Sequence, residues 1–554
     1  MKLTSTLLIV ALFISLSSCK KDQYKYDDDE VPEVPGVEET PNKPKMESLI
    51  DDVYRLLPGH FSETYDAVNS PVSNWSFGDV TSDDAYKGGG SISEQPDIHK
   101  MEIFNADANS LDAKAKWLSC YHGITTINDL INQVNATKEF TDAERTERVA
   151  ELRFLRGHFY FELKKIFNRI PWIDEKSNGK KPFEVSNDQL SSEQVWAKIE
   201  DDFKAAQILA PRQMDVKRPT SYAAWAYLCK AYIFQKKWAE ARAAADVVIN
   251  SGSYALMPNF ADVFLPENEN GKEVIFSVQH DIKDPAFGAF GGAIGDRLLT
   301  VGGGFWPGEN HGFLRPSQNL VNFFKTDSDG WPTRTNVDIE PDDYVDPRLD
   351  YTVARPGIPF LDLPEVYEAS WARNAATYGP FSMKKRIASP TSGHWLKVAP
   401  YTSDLNYCVI RYADVLLWKA EAAIETGDWE TGRHLINSIR NRAKNSAKVL
   451  TLEGRNAADY RINDYPWAFS CYDCAMEALK DERRLEFALE GHRFFDLVRW
   501  GDASTTLNIY FKDERDKCAF LTGAVFTKNR NEYQPIPQSE IALSKGLLKQ
   551  NPGY

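Results

Sequence analysis

The sequence predicts a mainly α-helical protein: a scaffold of stacked helical hairpins followed by a loop-rich, irregular subdomain with a few short strands. Three observations predict it. Thr220–Tyr254 reads as two helices joined at Gln235-Lys236-Lys237. Ala223, Ala224, Tyr227, Leu228, Ala231 and Tyr232 recur at helical spacing on the first, and Trp238, Ala241, Ala245 and Val248 on the second. Tyr412–Ala443 then repeats this grammar, with Lys419-Ala420 echoing Lys230-Ala231 and Trp429 echoing Trp238 after a turn two residues longer. Finally, the segments between hairpins are long and rich in Gly, Pro and aromatics, as insertions would be. A small-residue hairpin of about 34 residues is the tetratricopeptide pattern. Such units cannot bury their faces alone and must stack.

Taken in order, the chain opens on a processing signal. Lys2 supplies a positive end, Leu7–Leu16 is apolar but too short to span a bilayer, and Leu16-Ser17-Ser18-Cys19 follows. This run resembles a bacterial lipobox, which makes Cys19 the lipidated first residue of the mature protein. Residues 20–45 are charged and Pro-rich without apolar periodicity, the composition of a flexible tether. The folded domain is expected over 46–554.

Met46–Leu57 reads as a first helix before Pro58-Gly59, and Phe61–Ser93 as an irregular loop holding Trp75, Asp84, Tyr86 and Gly88-Gly89-Gly90. The triple glycine is not a phosphate cradle, because no Lys-Ser/Thr follows it. Leu111–Asn135 and Arg145–Phe167 read as helices, the latter forming a further hairpin with Glu193–Leu209. The hairpins thus fall at about 145–252 and 412–500, and the irregular insertion at about 270–405. Within the insertion, Glu273–Gln279 reads as a strand and leads into a glycine- and aromatic-rich run containing Phe305-Trp306-Pro307. Pro316–Phe324 caps and opens a helix, Asp346–Val353 reads as a turn into a strand, and Leu361–Tyr401 is irregular. A weaker helix pair, Ala475–Trp500, closes the scaffold. Its many opposite charges read as interhelical ion pairs rather than an acid–base site.

The net charge of −15 argues against nucleic acid, whose phosphates need clustered Lys and Arg. Nine scattered His give no metalloprotease pattern, and no metal-ligating residue or cofactor is assigned; no EF-hand loop is present, and a structural Ca²⁺ stays open. Cys471-x-x-Cys474 lacks a second ligand pair at zinc spacing and reads as a local disulfide or two free thiols.

In combination and order, several of these stretches resemble the SusD/RagB family of outer-membrane surface lipoproteins. They are the Cys19 lipobox, Ala150–Phe161 with Ile170-Pro171-Trp172, Pro316–Phe324, Asp346–Val353, Ile410–Leu417, Arg483–Trp500 and the ending Tyr533–Pro537 with Asn551–Tyr554. The resemblance implies a non-catalytic protein that captures an oligo- or polysaccharide at the cell surface and delivers it to a SusC-like TonB-dependent transporter. It also implies a loop-built ligand site, here within Trp75–Tyr86 and Phe305–Phe381. Sugars bind aromatic platforms flanked by charged and amide hydrogen-bonding groups. Trp306 is therefore the first-choice platform, with Phe305, Trp75, Tyr86 and Phe381 behind it, and Arg355 and Asp84 are the polar partners. The competing expectations are peptide cargo for the same kind of importer and a surface glycoside hydrolase.

Overall fold

Side-chain caps set where several of the helices start. The computed structural model describes residues 42–59, 71–283, 311–396 and 402–554, and Asn42–Tyr554 form one compact unit. In α1 (Lys43–Tyr54), Asn42 accepts from the Lys45 amide, and Met46, Ile50, Val53 and Tyr54 are buried. A short α2 (Pro96–Glu102) precedes two long helices, α3 (Leu111–Ala136) and α4 (Asp142–Phe167). Ser110 caps α3, and Thr141 with Glu144 closes a reciprocal capping box on α4. A second box, Ser191 with Gln194, opens α5 (Ser192–Ala205). The central hairpin is α6 (Ser221–Phe234) and α7 (Trp238–Asn250), turned by Lys236 at φ 59°. Beyond the insertion lie α8 (Gln318–Phe323), α9 (Tyr412–Glu425), α10 (Trp429–Asn445), α11 (Tyr472–Phe487), α12 (Arg493–Trp500), α13 (Ala503–Glu514) and α14 (Gln538–Leu543).

Each scaffold helix packs on the next, from α3 to α4, α5, α6 and α7, then across to α9, α10 and α11. The stack is therefore continuous, although the irregular insertion separates α7 from α9 in sequence. Helix α4 packs against α3 as well as against the expected α5. The two central hairpins also match more closely than the sequence suggests. Helices α6 and α9 each run 14 residues and each precede a three-residue turn, so Trp238 and Trp429 are equivalent. The longer turn inferred from Lys419-Ala420 is incorrect: the counterpart of Lys230 is Glu421. Both are buried, at 5% and 0% exposure.

The strands are short: β1 (Ala85–Gly88), β2 (Val274–Val278), β3 (Phe313–Pro316), β4 (Tyr344–Val345), β5 (Val353–Ala354), β6 (Ser382–Met383), β7 (Tyr407–Arg411) and β8 (Asp459–Tyr460). They form two-stranded ladders, β1–β3, β2–β7 and β5–β6 antiparallel and β4–β8 parallel. Two expectations are corrected. Trp75–Asp79 forms a π-helical turn and Ala85–Gly88 a strand, where a loop was expected. Leu349–Thr352 is a single helical turn, leaving only Val353–Ala354 as strand.

The charges of the closing helices are ion pairs, as their place on the scaffold implies. Five buried cations, Arg348, Lys385, Arg411, Arg440 and Arg442, interlock with five buried carboxylates, Glu273, Asp346, Glu482, Glu486 and Glu490. Cys471 and Cys474 are disulfide-bonded, and Cys120, Cys229, Cys408 and Cys518 are free.

These pairs set the acid limb of stability. Burial alone would raise Asp496, but Arg483 and Arg499 outweigh it and hold the carboxyl at about 2. Glu486 is likewise held well below the usual range, its burial outweighed by Arg442, Arg411 and Arg348. Carboxylates depressed in the fold contribute stability that is present above their ordinary value of about 4 and lost as pH falls through the folded value. Asp414 and Asp481, raised by burial to about 6, act oppositely, because their penalty is relieved as pH falls below 6. Burial lowers His158 to about 4, which costs stability across part of the same interval. The thermal midpoint should therefore change little from about pH 6.5 to 4.5 and fall steeply below about pH 4. Calorimetry across pH checks this, and a uniform decline from neutrality would contradict it.

Candidate ligand site

The pairing of β1 with β3 decides which surfaces meet. Tyr86 sits opposite Arg315 and Gly88 opposite Phe313. The segment after α1 is thereby brought beside His311, the first described residue after 284–310. The triple glycine serves this approach. Gly88 has φ 78°, and a Cβ there would lie 2.5 Å from the Gly312 carbonyl oxygen. The Gly89 amide donates to that same carbonyl at 3.0 Å.

Lys87 fastens the turn from beneath. Its ammonium donates to the carbonyls of Gly88, Ser91 and Glu94 at 3.0, 2.9 and 2.7 Å. Burial pushes this lysine down to about 8. Glu94 accepts from the Gly90 amide at 2.6 Å and from Arg373 at 3.0 Å. Arg373 also donates to the His311 carbonyl at 3.1 Å, and the Asn374 side chain to the Gly90 carbonyl at 3.0 Å. Arg315 lies underneath, fully buried, donating to the Gly379 carbonyl at 2.8 Å. With no carboxylate among the described residues paired to it, burial pushes its guanidinium down to about 10.

The described part of this surface is a polar rim. Ser91, Ile92 and Ser93 are exposed, and Arg373, Asn374 and Glu94 are half-exposed. Its groups can donate to and accept from hydroxyls. The neighbouring carboxylates are already engaged, Glu94 as above and Glu102 by the Lys87 amide and His99.

The structure places the sequence-predicted residues differently. Trp75 is fully buried, its ring 5.9 Å from that of Phe313. Tyr86 is 3% exposed and donates to Glu514 at 2.7 Å. Asp84 is 1% exposed and accepts from Arg484 at 2.8 Å, beside the Asp83–Arg493 pair. These three belong to the packed interior and offer no face to a ligand, which corrects their assignment. Arg355 has its fork committed to Asp350, at 2.7 and 2.9 Å. Phe381 is half-buried against the core. Phe305 and Trp306 lie outside the described residues, as does Cys19. Sequence reasoning did not single out Arg373, Asn374 and Glu94. An arginine following Trp371 in an irregular run was the available signal, although Trp371 itself is buried at 7% exposure.

Comparison with known proteins agrees with this architecture. The SusD family model matches residues 272–554, and a family model described as "Starch-binding associating with outer membrane" matches 39–233. Among curated proteins, Starch-binding protein SusD of Bacteroides thetaiotaomicron is 27% identical over 501 residues, covering 83% of this chain and 82% of that protein. SusD-like protein P38 of Formosa agariphila is 24% identical over 440 residues, covering 74% and 76%. Among solved structures, a laminarin-binding SusD-like protein superposes with TM-score 0.70 at 23% identity, over 93% of this chain and all of that one. Surface glycan-binding protein A of Bacteroides thetaiotaomicron, in complex with laminarihexaose, gives TM-score 0.69 at 20% identity over 92% of this chain and 100% of that one. With one family model spanning slightly more than half of its length, the chain belongs to the SusD family.

Proposed function

We propose that this protein is a non-catalytic, cell-surface glycan-binding lipoprotein that captures oligo- or polysaccharide and passes it to a SusC-like TonB-dependent transporter. Family membership carries the reading, supported by relatives named for binding starch and laminarin. Association with the outer membrane is supported by the description of the family matched at 39–233. Anchoring through a lipid on Cys19 rests on the Leu16–Cys19 motif. Among the described residues, no helix is long and apolar enough to cross a membrane. The tether is proposed to end by Asn42, where α1 is capped.

The ligand is proposed to lie against the rim of Ser91–Ser93, Arg373 and Asn374, with Trp306 and Phe305 as its aromatic platform. What supports this placement is the anchoring of His311 to that rim through Arg373. Titration calorimetry of the protein against neutral and acidic polysaccharides tests the reading. Saturable binding to one glycan is expected, without release of reducing ends. Trp306→Ala should weaken it by about tenfold or more, the scale of one lost aromatic platform. Hydrolysis of the bound glycan would overturn the non-catalytic reading, and unchanged affinity in the variant would overturn the platform.

A further inference from the structure

Lys230 lies where the two central hairpins meet the closing helices. Lys165, Lys230, Phe234, Trp418, Arg483, His492, Phe495 and Asp496 enclose a cavity there. Its volume of ≈ 10 Å³ is room for one water-sized particle and no more.

Two of its cationic donors are unsatisfied. Lys230 makes no hydrogen bond or ion pair with any described residue. Its ammonium is surrounded instead by the rings of Phe161, Tyr227 and Trp418, at 5.3, 5.8 and 5.9 Å. Arg483 commits Nε to Asp496 at 2.8 Å and leaves Nη1 buried without a partner. Leaving a buried charged donor unpaired is costly, so an occupant that accepts hydrogen bonds is required.

The charge around the cavity says which kind of occupant. Glu162 is shared by Lys165 at 2.6 Å and Lys116 at 3.9 Å. Asp496 is shared by Arg483 and Arg499, both at 2.8 Å, so the carboxylate on the wall is already doubly compensated. Arg499 also reaches Glu421, at 2.8 Å from Nη2. With Lys230, five cations face these three carboxylates, and the buried Asp414 is the fourth. One positive charge is left over. The second ion network, around Arg411, is balanced and supplies no counter-charge. Burial holds His492 far below its ordinary value, so its ring adds a neutral donor rather than another cation. A water would answer the volume but not the excess charge.

We propose that this cavity binds one small monovalent anion, a chloride in ordinary buffers, held by Lys230 and Arg483. The ion would tie the α6–α7 and α9–α10 hairpins to α11 and α12, a role separate from glycan capture.

Crystals of the unaltered protein grown with sodium bromide replacing chloride test this at the bromine absorption edge. An anomalous peak in the cavity within hydrogen-bonding reach of the Lys230 ammonium is expected. A cavity holding only water would overturn the proposal, and this measurement needs no variant to fold. In solution, exchanging sodium gluconate for sodium chloride at constant ionic strength should raise the unfolding midpoint by about 2 °C or more. Lys230→Met should abolish the rise. An equal rise in that variant would overturn the assignment.

Discussion

Replacing Arg411 with methionine is expected to destabilise the protein by about 3–5 kcal/mol, a large part of the stability of an ordinary domain. Arg411 closes β7 and is 1% exposed. Its Nε and Nη2 donate to the two oxygens of Glu490 at 3.0 and 2.9 Å, and Nη1 reaches Glu273 at 2.9 Å and Glu486 at 2.5 Å. Nη2 also donates to the Glu486 carbonyl at 2.9 Å. Three buried carboxylates therefore depend on one guanidinium. Removing it leaves Glu490 with Lys385 alone, while Glu273 and Glu486 keep Arg442, and Arg348 still serves Glu486. The loss measures the cost of stranded carboxylates more than the net worth of the pairs. Adding Glu490→Gln to Arg411→Met should accordingly recover part of it. Urea unfolding of the parent and the two variants decides this: a single variant as stable as the parent, or a double variant no better than the single, would contradict it. Arg411→Lys should also be harmful, since a point charge cannot bridge three carboxylates in a plane.

The helical scaffold was legible because its signals are local. Caps at Ser110, Thr141, Ser191 and Thr220 and the alanine-rich face of α6 specify helices within a few residues of where they occur. Of the ladders, only the strand predicted over Glu273–Gln279 was legible, and it occurs as Val274–Val278. A two-residue strand such as Val353–Ala354 has no period to read, and it exists because Ser382–Met383 reaches it from elsewhere in the insertion. The site was legible only by region. Trp75 and Tyr86 have the residue types of a sugar platform, but the same apolar area serves equally to fill a core. Only the distant partners, Phe313 and Glu514, decide between the two. Asp84 shows the same limit with charge, since its partner Arg484 stands 400 residues away. What a single sequence cannot convey is which polar groups are already taken.

Gly78→Ala and Gly491→Ala should be the most damaging small substitutions in the chain, and three glycines separate the causes. The π-helical turn Trp75–Asp79 lies backbone-to-backbone on the link between α11 and α12. A Cβ on Gly78 would sit 2.1 Å from the Gly491 carbonyl oxygen, and one on Gly491 would sit 2.1 Å from that of Ser73. Both Asp79 carboxylate oxygens accept from the Gly491 amide at 2.9 Å, so the link cannot move aside without breaking that clamp. Gly78 has no positive φ and tests contact alone. Gly491, at φ 78°, adds backbone strain to contact. Gly427, at φ 83° in the turn between α9 and α10, has open space around it and tests strain alone. Gly427→Ala should cost about 1–2 kcal/mol, the penalty of a left-handed L-residue. Gly78→Ala should exceed about 4 kcal/mol, because carbonyl groups rather than flexible side chains must give way. Gly491→Ala, carrying both terms, should give little or no soluble folded protein. Soluble yield and urea midpoints rank the three. If Gly427→Ala proved the most damaging, backbone strain rather than the contact between the turn and the α11–α12 link would be the dominant constraint.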